Sequence, residues 1–376
     1  MPSRSDWKKL AQETVAGLDE REVTGLYRID ARRAVRLFLA EHRDEIDAEP
    51  KKFRRVLKKA NALLYGMVRR LAPMRRVLFA AAFILTILGI ILPSDASALG
   101  AQGFFFLVVA VVLLLVLLGL ELVDKLHFRD ELIMARDLQA DLVPAMLPET
   151  ADWELAGFNR VANTVGGDLY DFVPLPDGRL AVLFGDASGH GMAAGLLMAV
   201  AQAAFRVQLD NDPSPTAVAA ALNRMLCRTG ACRVSGPRAF FAGIVMLLSP
   251  DGTFSAVVAG HPQALRLSAD GHVVERIGTG AYPFGVRDKA TWPPIPGCLQ
   301  PGETLLFFSD GLFEARNSAD EEFGDVRIEV VATRCARTGP ALLVASLSDE
   351  LRRFLGSADP EDDVSIAAIR RKIPAA

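Results

Sequence analysis

Two long apolar runs constrain the fold of this chain more than any other feature. They are Val77–Leu92 (VLFAAAFILTILGIIL) and Phe104–Leu120 (FFFLVVAVVLLLVLLGL). Neither run has a polar stripe, so a helix formed by either would be apolar on every face. A buried helical hairpin of a soluble domain is the alternative interpretation. With flanking apolar residues each run reaches the ~20 residues that cross a bilayer, so we expect a transmembrane helical hairpin over residues 76–123.

Basic residues collect on one side of these runs. Residues 1–76 carry 19 Lys and Arg against 11 Asp and Glu, although the whole chain has a formal net charge of −3. Ten of the 26 residues in 51–76 are basic, and the connector 93–103 has no Lys or Arg. The positive-inside rule therefore predicts a multi-pass protein of the inner (cytoplasmic) membrane, with its N-terminus and its C-terminal domain in the cytoplasm. The basic run itself is either a solvated helix or a helix attracted to anionic lipid headgroups.

The remaining sequence divides into three regions. Residues 1–75 are predicted to be a basic helical cytoplasmic region, residues 124–150 a linker or switch helix, and residues 151–376 an α+β domain of short strands and helices. Apolar positions in the linker step by three and four residues, which predicts a short coiled coil and a homodimer, although an ordinary core stripe has the same spacing. These positions are Phe128, Leu132, Ala135, Gln139, Leu142 and Met146.

A hairpin in the C-terminal domain brings two carboxylates together. The stretch VGGDLYDFVPLPDGRLAVLFGDASGHG has a turn signal at Pro176-Asp177-Gly178, with Gly178 in the left-handed position. In the register set by that turn, Asp168 faces Asp186, with Cβ atoms roughly 4.5–5.5 Å apart. Two carboxylates beside an apolar face repel each other, so either one takes up a proton or a cation binds between them.

Further acidic residues lie at the ends of other predicted strands. Asp310 ends the apolar run LLFFSD, and Asp362 and Asp363 precede the run VSIAAI. Any one of these residues alone is more often a turn or strand-cap residue than a ligand. Together with the hairpin pair they form the oxygen-rich set that Mg²⁺ or Mn²⁺ prefers, so the pattern favours a metal site.

Five motifs in order carry a family resemblance: GGDLYDF, GDASGHG, AGHPQAL, FFSDGLFEARN and DDVSIAAI. They resemble the metal-dependent protein phosphatases (the PPM, or type 2C, class), in the bacterial SpoIIE/RsbU-like branch, over roughly residues 131–372. The resemblance implies a β-sandwich of two antiparallel sheets flanked by helices. It also implies a protein serine/threonine phosphatase that hydrolyses a phosphomonoester with metal-activated water, on a phosphorylated STAS-type antagonist in sigma-factor regulation, with no nucleic-acid partner.

The resemblance assigns roles to individual residues. It implies that Asp186 bridges two Mn²⁺ or Mg²⁺ ions, that the Ala187 carbonyl and Asp168 hold one ion, and that Asp310 and Asp362 hold the other. Asp363 is the neighbour that can take the place of Asp362 in this assignment.

The catalytic acid is less well defined. His190 is the candidate general acid, but eukaryotic members carry that His two residues after the bridging Asp, a position held here by Ser188. A polar loop residue is the alternative for His190. His261, in the third motif, is expected to be a loop or packing residue.

Two other functions compete with this interpretation. A phosphatase-like module can bind a partner or relay a membrane signal without catalysis. GGDLY also resembles the signature of membrane-bound diguanylate cyclases, but that class leaves the later acidic motifs unexplained.

Overall fold

The computed structural model describes residues 52–92, 98–140, 142–144, 146–162, 165–189, 191–229, 239–278, 280–356 and 358–374. The chain divides into two compact units, Met1–His127 and Phe128–Ala376. The α-helices are α1 Lys52–Arg70, α2 Pro73–Ile91, α3 Ala98–Ala140, α4 Met192–Leu209, α5 Pro215–Arg228, α6 Asp310–Phe313, α7 Gly324–Cys335 and α8 Pro340–Leu355. The strands are β1 Trp153–Arg160, β2 Asp168–Pro174, β3 Leu180–Ala187, β4 Phe241–Leu248, β5 Thr253–Ala259, β6 Ala264–Leu267, β7 Val273–Ile277, β8 Ile295–Cys298, β9 Thr304–Phe308 and β10 Val364–Arg371.

In the first unit, helices α2 and α3 lie side by side as an antiparallel hairpin. Small residues form the seam, and a Cβ atom added to Gly89 would lie 2.7 Å from Leu107 Cγ. Such close approach is typical of helices that pack in a membrane. At the other end of the hairpin, Arg75 pairs with Glu121 at 2.8 Å and with Asp124 at 2.7 Å.

Three helical segments are long and apolar enough to cross a membrane, judged by length and composition alone. They are Pro73–Ile91, Gln102–Glu131 and Met192–Leu209. The third is α4, whose buried residues belong to a core cluster of the second unit. The other two contain the apolar runs of the predicted transmembrane hairpin.

The linker helix ends earlier than the sequence predicts. Helix α3 continues without a break to Ala140, but residues 142–144 and 146–150 are not helical. Pro144 and Pro148 explain the difference, because the residue before a proline is disfavoured in the helical conformation. Within the linker region predicted over residues 124–150, the described structure is thus helical as far as Ala140, whereas residues 142–144 and 146–150 are not helical. On the predicted seam Phe128 is exposed, and the homodimer stays a prediction.

The second unit confirms the predicted sandwich of antiparallel sheets. One sheet has the strand order β1-β10-β9-β6-β7 and the other has the order β2-β3-β4-β5-β8. An apolar layer that includes Phe184 and Phe307 fills the space between the sheets. Helices α4 and α5 cover the outer face of the second sheet, and α7 and α8 cover that of the first. The fold is therefore a four-layer sandwich with helices on both outer faces.

The β2–β3 hairpin has the predicted register. Asp168 pairs with Asp186 at its open end, and Pro174 pairs with Leu180 next to the turn. Gly178 has a φ of 83°, the left-handed conformation that a side chain disfavours. Because side chains alternate along a strand, this register places both carboxylates on the face that packs between the sheets.

Candidate metal centre

Two aspartates face each other where the two sheets meet. Asp168 begins β2 and Asp186 lies one residue before the end of β3. The Asp168 side chain is only 2% exposed, whereas Asp186 is half-buried. Asp168 Oδ2 is a buried oxygen without a hydrogen-bond partner in the described part of the chain. Such an atom is costly unless a donor or a cation reaches it.

Burial and the charges of neighbouring carboxylates raise the pKa of both aspartates. Burial, followed by the charges of Asp310, Asp362 and Asp363, raises the pKa of Asp186 to about 8. Burial and then the charge of Asp186 raise the pKa of Asp168 well above its ordinary value. Two physical remedies for the repulsion are the uptake of a proton by the pair and the binding of a cation.

Two serines that sequence reasoning missed support Asp168. The hydroxyl groups of Ser309 and Ser365 lower the pKa of Asp168 and so partly offset the larger effect of its burial. Both serines are fully buried, and the Ser365 amide donates to Ser309 Oγ at 2.9 Å. They follow β9 and lie at the start of β10, so they tie the first sheet to the carboxylate pair. Their small size and common occurrence in turns gave no sequence signal.

Asp310 enters the site from the end of β9. It begins the single-turn helix α6, and its Oδ1 accepts a hydrogen bond from the Gly311 amide at 3.0 Å. Burial raises the pKa of Asp310, and the charges of Asp362 and Glu314 raise it further. Glu314 is a further acidic residue that the sequence motifs did not single out.

The neighbouring Asp362 and Asp363 have different surroundings. Asp363 is buried, and its carboxylate accepts hydrogen bonds from the amides of Ala162 at 2.8 Å and Gly167 at 2.6 Å. Both of its oxygens are thus engaged in holding the loop before β2. The Asp362 side chain is exposed and accepts one hydrogen bond, from the Asp363 amide at 2.9 Å.

The backbone comes very close to the carboxylates at Gly167. A Cβ atom at this position would lie 2.7 Å from the Ala187 carbonyl oxygen and 2.8 Å from Asp186 Oδ1. The Ala187 amide donates to the Gly167 carbonyl at 3.1 Å. The Ala187 carbonyl and the Asp186 carboxylate therefore border the same small space, which only glycine leaves open.

The structure gives no support to Ser188 or His261 as the general acid, and it does not describe His190. His190 lies outside the described residues. Ser188, in the position of the eukaryotic acid, is already engaged, because its Oγ accepts from the Phe240 amide at 2.8 Å. His261 is buried edge-to-face against Phe184, and burial lowers its pKa to about 4. Its Nδ1 lies 2.9 Å from the Pro262 carbonyl, so this neutral ring donates there.

A cleft of about 580 Å³ opens beside Asp310. Its lining includes the acidic residues Glu314 and Asp325, together with His261 and Arg276. Arg276 forms an ion pair with Glu329. The cleft shares Asp310 with the carboxylate group, so a molecule bound in the cleft would lie beside that carboxylate.

The donor atoms and the charge of this centre fit a hard divalent cation. Carboxylate and carbonyl oxygens are the ligands that Mg²⁺ and Mn²⁺ prefer, and an excess of buried negative charge is what a cation relieves. Among the residues that the structure describes, however, no group of three or more His, Cys, Asp or Glu side chains could hold an ion as it stands. The carboxylates would therefore have to close around an ion.

Comparisons with known proteins identify the family. The profile described as Stage II sporulation protein E (SpoIIE) matches residues 176–372, more than half of the chain. Protein IcfG of Synechocystis is 25% identical over 270 residues, which cover 65% of this chain and 42% of IcfG. The phosphoserine phosphatase RsbU of Bacillus subtilis is 21% identical over 66% of this chain and 72% of its own length. The chain thus spans less than half the length of one of these relatives.

Solved structures support the same fold. The SiaA-PP2C domain of Pseudomonas aeruginosa superposes with a TM-score of 0.57 at 20% identity, covering 66% of this chain and 98% of that domain. The RsbU and RsbW domains of Rv1364c from Mycobacterium tuberculosis give a TM-score of 0.51 at 28% identity, covering 61% of this chain and 62% of that one. The family match and the two-sheet sandwich leave no support for the diguanylate cyclase alternative. This chain therefore belongs to the SpoIIE family and has the PP2C fold.

Proposed function

We propose that this protein is a membrane-tethered, metal-dependent protein serine/threonine phosphatase. The observation that carries the proposal is the opposed pair of the buried Asp168 and the half-buried Asp186, with an unpartnered oxygen on Asp168 and three further acidic side chains around the pair. Membership of the SpoIIE family and the likeness to a phosphoserine phosphatase support the choice of reaction.

In this proposal the residues divide into ligands and positioning groups. Asp186, Asp168 and the Ala187 carbonyl hold one side of a two-ion site, and Asp310 and Asp362 hold the other. When bound, Mg²⁺ or Mn²⁺ acidifies water and withdraws charge from the phosphoryl oxygens. Asp363 positions the loop before β2 through its two amide contacts, since its oxygens are already engaged.

Neighbouring residues position the proposed metal ligands and the substrate. Ser309 and Ser365 partly offset the raised pKa of Asp168, so they would help a cation to displace the proton from this carboxyl. The cleft beside Asp310 receives the polypeptide around the phosphorylated residue. His190 is the candidate general acid that would protonate the leaving serine or threonine oxygen.

The substrate and the location are also part of the proposal. The proposed substrate is a phosphorylated STAS-type antagonist of an anti-sigma factor, and one related structure combines an RsbU domain with an RsbW domain. The two apolar helices and the basic segment before them support a cytoplasmic-membrane location, with residues 1–75 and 151–376 in the cytoplasm. A homodimer through the linker helix completes the proposal.

Hydrolysis of a chromogenic phosphomonoester with added Mn²⁺ tests the reaction. We expect turnover by the full-length protein that a chelator removes, and a loss of more than about a hundredfold in Asp186→Asn. Asp177→Asn is the matched control, because it makes the same substitution in the same hairpin at the exposed turn. Equal turnover in the wild type and Asp186→Asn would refute the assignment of the site.

A non-catalytic signalling module is the second candidate. One observation favours it: the described residues contain no preformed group of three or more His, Cys, Asp or Glu side chains that could hold a metal ion. Phosphoproteomics of a deletion strain and an Asp186→Asn strain separates the two functions. The phosphatase predicts the same accumulated phosphoprotein in both strains, whereas the module predicts accumulation in neither.

A further inference from the structure

Helix α1, Lys52–Arg70, is not used by the proposed phosphatase. It contains seven Lys or Arg residues and no Asp or Glu. The sequence left two interpretations open for this basic segment, a solvated helix or a helix attracted to lipid. The helical structure now allows its two faces to be separated.

The apolar residues of α1 lie on one face. At about 100° per residue, Phe53, Val56, Leu63, Leu64 and Val68 fall within an arc of about 140°. Six of the seven basic residues fall on the opposite side, within an arc of about 160°. These six are Arg54, Arg55, Lys58, Lys59, Arg69 and Arg70.

Part of the apolar face is open to solvent. Phe53 is 79% exposed and Val56 is 65% exposed. A helix of low mean hydropathy with one apolar face and one strongly basic face is the form that lies in a membrane interface. Neither a fully solvated helix nor a nucleic-acid-binding helix explains why apolar side chains collect on one face. An exposed Phe and Val on that face favour contact with lipid.

The position of α1 in the chain also favours a membrane interface. Only Leu71 and Ala72 separate it from α2, which is one of the segments apolar enough to cross a membrane. Arg76 of α2 donates to the carbonyls of Leu71 and Arg69, each at 2.8 Å, so the joint between the helices is held by hydrogen bonds. If α2 enters the bilayer, this joint keeps α1 at its surface.

We propose that α1 is an interfacial helix that binds the anionic phospholipid headgroups of the cytoplasmic leaflet and inserts its apolar face among the upper acyl carbons. The inference rests on the membrane placement proposed above, and it adds a lipid site that the phosphatase reaction does not require. Its basic side chains contact lipid phosphates, and Phe53 and Val56 leave water.

Hydrogen exchange of the α1 amides in the full-length protein tests this site. The protein is reconstituted into nanodiscs of phosphatidylcholine alone or mixed with phosphatidylglycerol. We expect exchange in α1 to slow about tenfold or more when phosphatidylglycerol is present, because each basic residue near an anionic surface strengthens binding about fivefold. Strands β3 and β4 serve as internal references and should not change.

Charge variants make the test specific. Lys58→Gln/Lys59→Gln removes two exposed charges and keeps good helix formers, so most of the phosphatidylglycerol effect should disappear. Arg224→Gln/Arg228→Gln is the matched control on the exposed face of α5 and should retain the effect. Phe53→Asn should weaken α1 protection in both lipid mixtures.

Three outcomes would overturn the proposal. The first is equal exchange of α1 in both lipid mixtures, and the second is an effect unchanged by Lys58→Gln/Lys59→Gln. The third is protection by duplex DNA in neutral discs without protection by phosphatidylglycerol, which would indicate a nucleic-acid surface. Failure of the chain to enter the discs would instead contradict the membrane placement, and phosphomonoester turnover measured on the same samples reports the proposed enzyme separately.

Discussion

At the scale of single residues, the centre is defined by carboxylates whose ionisation is opposed by burial and by neighbouring negative charges. Burial raises the pKa of Asp186 from 3.8 to about 8. A carboxyl whose pKa is raised on folding stabilises the native state fully below its unfolded pKa, and this contribution is lost as the pH rises through the folded value. Protons and a divalent cation therefore compete for the same oxygens.

The first prediction follows from this competition. With a chelator present, the free energy of unfolding should fall as the pH rises from about 4 to about 8, and Asp186→Asn should flatten that dependence. Saturating Mn²⁺ should remove the fall in the wild type. Chemical denaturation at a series of pH values measures all three curves. A pH dependence that is the same in the wild type and in Asp186→Asn would speak against the coupled pair.

The second prediction concerns Gly167. Gly167→Ala places a methyl group 2.7 Å from the Ala187 carbonyl oxygen, so the backbone beside Asp186 must shift. We expect Mn²⁺ affinity, measured by calorimetric titration, to fall by about ten- to a hundredfold. Gly280→Ala is the control, because no atom lies within 4 Å of the added Cβ. Unchanged affinity in Gly167→Ala would show that this carbonyl and carboxylate are not ligands.

At the scale of secondary-structure elements, a partly buried ion pair joins β2 to α4. Asp171 is fully buried, and Arg206 donates to its carboxylate at 2.7 and 3.1 Å. Gln202 bridges the same carboxylate, at 3.1 Å, and the Leu142 carbonyl, at 2.6 Å. The strand that begins with Asp168 is thus fixed to the helix beneath it and to the segment that follows the linker helix.

The third prediction tests this connection. Arg206→Met leaves the Asp171 carboxylate buried with only Gln202, and we expect a loss of about 2 kcal/mol in unfolding free energy, because Arg206 itself is half exposed. Asp171→Asn/Arg206→Met should lose less, since the buried charge is gone. Arg224→Met on the exposed face of α5 is the control. Equal losses in the single and the double variant would contradict the role of the uncompensated charge.

Local sequence signals predicted some elements well and others poorly. The β2–β3 register followed from the Pro176-Asp177-Gly178 turn and the alternation of side chains, and both are local. Helix α7 has only a weak local signal, because its β-branched residues, VRIEVVATR, are typical of a strand and its helical form depends on packing against α8. Strand β1 depends on a distant partner, because its pairing with β10 joins residues about two hundred positions apart.

The candidate site also contains residues that local motifs predict and residues whose roles only the structure shows. The aspartates stood at strand ends and in recognisable motifs, so they were predicted. Ser309, Ser365 and Glu314 lie inside two of the resemblance motifs, but their roles depend on long-range contacts, so the motifs alone did not single them out. The separation of Asp362 from Asp363 also required the structure, because only the amides of Ala162 and Gly167 distinguish the two carboxylates.

At the scale of the whole molecule, charge and hydropathy define how the chain should meet a membrane. The basic residues lie before the first apolar helix, and the connector between the two apolar helices has no Lys or Arg. The fourth prediction is that residues 1–75 and 151–376 lie on the same side of the cytoplasmic membrane. Protease treatment of inside-out vesicles should digest both regions and spare the connector 93–103. Digestion of the connector with protection of either region would contradict this topology.

The central claim is that acidic side chains from both sheets converge to hold divalent cations. The most direct test is a crystal structure of the full-length protein grown with manganese, with an anomalous difference map recorded at the manganese edge. The account predicts two peaks enclosed by Asp168, Asp186, Asp310 and Asp362, with the Ala187 carbonyl oxygen as a further ligand. A map without peaks among these residues, with their carboxylates pointing away from one another, would contradict it.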